Sequence, residues 1–241
     1  MRKKYYISLI LDGPLQSWGT SSHPGIDFRT TLRHPTKSAV IGIISAAMGI
    51  DRSCPEEPKV TEKLSQKISV KFFELSKPLK PWQADPVVHK ITDFAAIGNY
   101  MTAEYKEKIG EYVISKKEYL CDMTFIAILE IGDEDLSQQI ENALKNPKWG
   151  IWLGRKCCIP SLPLFIQRGI DEENVWNAVW EKLKVINIKY PKSIDFLSIE
   201  SLKEGHCFEK GDIMDSIMDE PRSFSRPNRY VSRKIVKRHP Q

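Results

Sequence analysis

The sequence predicts an α+β fold. Three observations carry this: strand-like apolar runs alternate with amphipathic helical stretches over the first 154 residues, one long irregular insertion separates two of the strands, and short β-prone segments follow in the last third.

The first strand is Lys4 to Leu11 (KYYISLIL), apolar and β-prone. Asp12-Gly13-Pro14 then turns the chain into a polar, glycine-bounded loop that runs past Trp18 and Gly19. Over Thr36 to Ile50, the residues Val40, Ile41, Ile44, Ala47 and Met48 recur at helical spacing. Thr36 or Ser38 stands ready as N-cap and Gly49 as terminator, so this is the first helix. Lys67 to Glu74 (KISVKFFE) reads as the second strand and Tyr119 to Ile131 as a long third one. Asp133 to Lys145 places Leu136, Ile140, Ala143 and Leu144 on one face, with acidic residues in the first turn where the helix dipole favours them. Asn146-Pro147 ends this second helix, and Gly150 to Leu153 (GIWL) supplies a fourth strand.

The order β-α-β-insertion-β-α-β is ferredoxin-like, the βαββαβ arrangement shared with RRM-like domains. Two right-handed split units make a four-stranded antiparallel sheet with both helices on one face and the other face free. Such an order does not by itself establish a function. Residues 1–154 are thus expected to form one domain, interrupted at about 77–118 by an insertion too long for a hairpin turn and too irregular for a helix. Residues 155–241 are expected to form a small β-rich unit. It holds one helix at Glu172 to Leu183, whose Val175, Trp176, Val179 and Trp180 share a stripe and read as core.

A chain of 241 residues with 41% apolar content buries a real core. No stretch approaches the ~20 apolar residues of a membrane span, so a cytoplasmic protein with no membrane partner is expected. Five cysteines, none in a CxxC pair, argue against a disulfide framework or zinc ribbon, and HxxxH is absent from the sequence. No metal or cofactor is expected. The net charge of +5 is concentrated: from Arg222 to Gln241 stand seven Lys or Arg and no acidic residue. That field suits a polyanion, and it equally suits a solvated tail or a neighbouring subunit.

Three segments carry a more specific signal. They are Leu11 to Gly19 (LDGPLQSWG), then Arg29 with Pro35 to Gly42 (PTKSAVIG) and Ala46 to Ile50 (AAMGI), and finally Tyr119 to Asp122 (YLCD) with Leu153 to Pro160 (LGRKCCIP). Together they resemble the CasD family, the RAMP-group subunit of type I-E CRISPR Cascade. The resemblance implies a surveillance-complex subunit that binds and caps the 5′ handle of crRNA, contacts the backbone and large subunits, and meets target DNA only through the complex. It also implies that the insertion at 77–118 is a thumb that reaches along the guide RNA.

The residues in these segments suit such a task. In the loop after the first strand, Gln16 and Ser17 offer neutral hydrogen bonds beside Gly19, and Trp18 is either a stacking plane for a base or a hydrophobic plug. Thr36, Lys37 and Ser38 begin a helix whose unpaired amides and positive dipole end suit a phosphate, although capping alone also explains Thr36 and Ser38. Arg29 and Arg33 bring charge-assisted donors to the same neighbourhood. Arg155 and Lys156 suit backbone phosphates or a carboxylate of a neighbouring subunit. Asp122, in a long strand, suits a structural hydrogen bond. From Pro78 to Glu118 the insertion has six lysines balanced by six acidic residues, so its action is steric, with Trp82, Tyr100, Met101, Tyr105 and Tyr112 available to wedge a base or to bury in a partner.

Some RAMP relatives cleave CRISPR transcripts without metal, which needs a base near the 2′-hydroxyl and an acid at the leaving oxygen. Here His23, His34, His89, His206 and His239 are scattered singly, and binding without catalysis is expected. A metal-independent endoribonuclease using His23 or His34 is the alternative, and an assembly scaffold with incidental RNA contact is a third reading.

Overall fold

The protein is described from a computed structural model covering residues 3–19, 28–75, 90–101, 107–185, 198–201, 213–225 and 229–238. Its elements are β1 (Tyr5–Gln16), β2 (Phe28–Arg29), α1 (Lys37–Met48), α2 (Glu57–Lys67), β3 (Ile68–Leu75), β4 (Lys90–Met101), β5 (Glu107–Ile131), α3 (Glu134–Lys145), β6 (Phe165–Gly169), α4 (Glu172–Val185), β7 (Ser198–Ser201), β8 (Ile213–Ser223) and β9 (Arg229–Arg238). Among the described residues these make a mixed α/β structure of four helices and one nine-stranded sheet, ordered β6-β1-β5-β3-β7-β9-β8, with β2 and β4 also paired to β5. All the pairings are antiparallel except β2 with β5.

Period-two alternation sorts the central strands into two faces. Ile7, Leu9 and Leu11 of β1 and Phe125, Ala127, Leu129 and Ile131 of β5 turn toward α1, α2 and α3, forming the larger core with Val40, Ile44, Leu64 and Ile140. Ile10, Ile126 and Ile128 turn the opposite way and meet Val175, Val179 and Leu183 of α4. Trp176 packs edge-on against Phe73, their centroids 4.7 Å apart; Val175 and Val179 of the stripe are core, and Trp176 and Trp180 pack half-buried against it. The face expected to stay free is therefore covered by α4.

The helix ends follow their capping residues. Thr36 Oγ1 accepts from Ala39 N at the start of α1, and Gly49 closes it in the left-handed region at φ 72°. Asp133 caps α3 by accepting from Leu136 N (3.0 Å). Glu57–Lys67, unmarked in the sequence reading, is helical, with Pro58 in its first turn and Leu64 buried.

Two further expectations are corrected. Gly150 to Leu153 is not a strand: Leu153 is fully buried, but its amide donates to Cys158 O within a turn, and the strand on the side of β1 away from β5 is β6. The insertion is also more regular than expected. From Lys90↔Leu120 to Met101↔Glu107, β4 and β5 form a two-stranded arm, and β5 continues from it without a break between β1 and β3. Residues 77–89 of the insertion lie outside the described residues. The division expected at residue 154 falls inside one sheet, because β6 pairs with β1 and β7 pairs with β3.

Candidate nucleic-acid interface

The exit of β1, the start of α1, the loop 149–157 and the ends of β8 and β9 border one open groove of about 1960 Å³. Among the described residues six cations line it, Arg29, Arg52, Lys117, Arg155, Lys156 and Arg222, against the carboxylates of Glu57 and Glu62. Neither acid is idle. Glu62 Oε1 accepts from Arg222 (2.7 Å), and the buried Glu57 accepts from Thr61 Oγ1, Ser223 Oγ, Phe224 N and Ser225 N. Glu57 thereby clasps the end of β8 to α2 and sets that wall of the groove. Burial pushes its carboxyl upward, but these four hydrogen bonds outweigh it and leave it below the usual glutamate range.

Arg155 knits three segments together. Its Nη1 donates to Glu118 O (2.7 Å), its Nη2 donates to Arg29 O (3.0 Å), and the guanidinium lies 4.6 Å over the Tyr119 ring. The rigid fork of arginine suits this spanning role, which a lysine ammonium would not reproduce. Burial and the Cys157 thiol raise the Tyr119 hydroxyl above its ordinary value. Lys156 stays exposed, its Nζ 5.8 Å from the Trp152 ring centre.

The structure divides the residues singled out from the sequence. Ser17, Trp18, Gly19, Arg29, Thr36, Ser38, Arg155 and Lys156 border the groove. Gln16 is fully buried and spends its amide on Leu11 O (3.0 Å), Met123 O (2.6 Å) and Trp18 Nε1 (3.2 Å). Trp18 is 1% exposed, its backbone held by Thr31 Oγ1 and Leu32, so of its two readings the ring fills the plug and offers no stacking face. Lys37 is buried and faces Glu220, 3.8 Å away, rather than the groove. Arg33 is likewise elsewhere, 3.8 Å from Glu74. Tyr100 and Met101 stand at the far end of the arm, opposite Lys108 and Glu107, and their side chains lie outside the described residues.

Asp122 adopts a positive φ of 53° where β5 passes from the arm to the core sheet. Of the histidines, His34 is buried with Nδ1 3.0 Å from Pro35 O, while the other four lie outside the described residues. Among the described residues no cluster of three or more potential metal ligands occurs, and no helix is long and apolar enough to cross a membrane. Arg52, Trp149 and Trp152 are groove residues that the sequence reading missed, because each lies in a turn or loop that carries no periodic signal, whereas Arg222 stood there only as the first cation of the basic C-terminal run.

The family model described as "CRISPR-associated protein (Cas_Cas5)" matches residues 6–237, which span both the groove and the arm. The chain belongs to the Cas_Cas5 family. This Cas_Cas5 protein is 29% identical over 163 residues to the CRISPR system Cascade subunit CasD of Escherichia coli (strain K12), covering 67% of this chain and 70% of that one. Its fold is similar to a chain of a "CRISPR RNA-guided surveillance complex" (TM-score 0.68, 23% identity, 97% of this chain and 90% of that chain). It is similar also to one described as "Crystal structure of Cas protein" (TM-score 0.60, 23% identity, 97% and 94%).

Proposed function

We propose that this Cas_Cas5 protein is a non-catalytic subunit of a type I-E Cascade surveillance complex and that its groove holds the 5′ handle of crRNA. One observation carries the reading: cations from four separated segments, at Arg29, Arg52, Arg155-Lys156 and Arg222, converge on a groove far larger than any of them needs for packing. A phosphate backbone is the ligand whose repeated charge matches that spread. The start of α1, where Thr36 and Ser38 border the same groove, adds oriented dipole to it. Sequence reading is then left to base pairing by the guide, and target DNA is met only through the complex.

Two finer readings accompany this one. The order β6-β1-β5-β3, with α1 and α3 on one face, agrees with a ferredoxin-like core that has taken α4 on its second face and β7 to β9 on its edge. The β4–β5 arm is read as the thumb. Phe94 (64% exposed), Tyr112 (72%) and Ile114 share its solvent face, a surface suited to burial against the backbone subunit. The buried, hydrogen-bonded His34 is poorly placed as a general base, which supports binding without cleavage.

The test is co-purification with the other Cascade subunits, followed by ultraviolet crosslinking and peptide mapping. Crosslinks at 149–157 and 222–231, together with salt-dependent RNA retention weakened by Arg52→Ala and Lys156→Ala, are the expected result. Crosslinks confined to the arm, or metal-free cleavage of repeat RNA lost in His34→Ala, would sink it.

A further inference from the structure

Among the described residues six aromatics line the groove, and most are already occupied. Trp18 is sealed in the core, Tyr119 carries Arg155 on its face, and Phe224 is buried beneath Arg52 at 5.5 Å with Tyr230 packed edge-on at 6.4 Å. Trp149 differs, and Trp152 carries only the exposed ammonium of Lys156, 5.8 Å from its ring centre. Trp149 is 44% exposed and Trp152 half-buried, and both stand in the segment Trp149-Gly150-Ile151-Trp152 on the groove wall.

That segment is held at both ends. Lys148 N donates to Ala47 O (3.0 Å) at the end of α1. At the other end Leu153 is fully buried, donates to Cys158 O (2.7 Å) and accepts from Ser17 N (3.0 Å). Between these anchors Gly150 lets the Trp152 ring lie against the backbone, for a Cβ there would come within 2.8 Å of the ring. Two large apolar rings, one 44% exposed and one half-buried, are thus held at the surface on a pinned segment, beside the exposed ammonium of Lys156. Exposed apolar area on a rigid, cation-flanked wall is the recipe for stacking single-stranded nucleic acid, since the rings lose little freedom when a base settles on them.

We infer that Trp149 and Trp152 are a stacking platform for unpaired nucleobases of the bound RNA, with Lys156 meeting the phosphate beside the stacked base. The inference rests on the RNA-binding reading of the groove and adds to it base contacts that carry affinity but little sequence choice. Trp18, the tryptophan that stands out in the sequence, serves instead to hold the platform's neighbour loop in place.

The test measures binding of the full chain to labelled single-stranded oligoadenylate and to a length-matched abasic ribose-phosphate oligomer, by fluorescence anisotropy. Trp149→Ala and Trp152→Ala should each weaken oligoadenylate binding about 5- to 150-fold, leave the abasic oligomer unaffected and leave the salt slope unchanged. Trp152→Phe should retain most of the affinity. Trp152→Leu, which keeps apolar bulk without a π face, decides the case if the alanine variant does not fold. Equal losses on both oligomers, or no loss on either, would overturn the platform, as would wild-type protein that binds both oligomers equally; the phosphate-binding groove would survive that last outcome. Wild-type protein that binds neither overturns the groove reading and the platform together.

Discussion

Gly154 and Ser17 touch backbone to backbone: at φ +102° Gly154 sits so near that a Cβ in its place would fall 1.8 Å from the Ser17 carbonyl oxygen. This approach joins the basic loop to the exit of β1. Gly154→Ala must therefore both strain the backbone and separate the two segments. It is expected to cost at least about 2 kcal/mol in urea unfolding and to weaken RNA retention, although the substitution changes no charge. Gly19→Ala, where a Cβ meets nothing within 4 Å, is the matched control and should be near neutral.

The two kinds of tryptophan separate stability from binding. Trp18→Ala empties a fully enclosed position and should cost about 3–5 kcal/mol, seen as a lowered urea midpoint with unchanged slope. Trp149→Ala removes a surface ring that is 44% exposed and should cost less than about 1 kcal/mol. If Trp149→Ala proved as destabilising as Trp18→Ala, the exposed ring would have to be reread as packing.

Two glutamates give opposite pH signatures. The folded-state pKa of Glu57 is depressed, so its contribution is complete above the ordinary glutamate value of about 4.3 and is lost as pH falls through the folded value. Glu57→Gln should flatten the acid limb of a stability–pH curve and loosen the 223–225 wall. Burial raises the Glu74 carboxyl, which Arg33 offsets only in part, and Glu74 Oε2 has no hydrogen-bond partner among the described residues. Its contribution shrinks as pH rises from the ordinary glutamate value through the raised one. Glu74→Gln should then stabilise the protein at neutral pH and lose that advantage in acid, as read from urea midpoints between about pH 4 and 8.

The arm should be dispensable for folding and needed for assembly. Phe94→Ser combined with Ile114→Ser leaves the two cores untouched and is expected to shift unfolding by less than about 1 kcal/mol. Incorporation into the purified complex should fall. Cross-strand packing of Tyr112 over Gly98 is internal to the arm, so Tyr112→Ser should also raise protease sensitivity at the arm.

The core strands, α1, α3 and α4 were legible because their apolar residues follow clean periods, and α1 and α3 also have their N-caps at Thr36 and Asp133. What escaped did so for physical reasons. In α2 only Val60 and Leu64 are large and apolar, so its pattern is too thin to read, and Pro58 marks a helix start only once the helix is known. In β6 (FIQRG) every residue is at most half-buried, whereas Ile151 and Leu153 imitate a strand while serving a turn. The arm hid because both of its faces meet water, which removes the inside–outside alternation that betrays a strand. At the site, Arg29, Thr36, Ser38, Arg155 and Lys156 do share a groove. Gln16 and Trp18 do not present their side chains there, since linear sequence cannot tell a polar or aromatic side chain that faces outward from one folded beneath its own loop.

The 25-residue β5 has a mechanical meaning. One continuous ribbon serves as the arm's spine and as the middle of the main sheet, so a pull at the tip is carried to the molecule's centre, where both flanking ladders must shear together before anything yields. Whatever grips the arm therefore holds the entire body, and the left-handed residues Gly110 and Asp122 are joints along that lever.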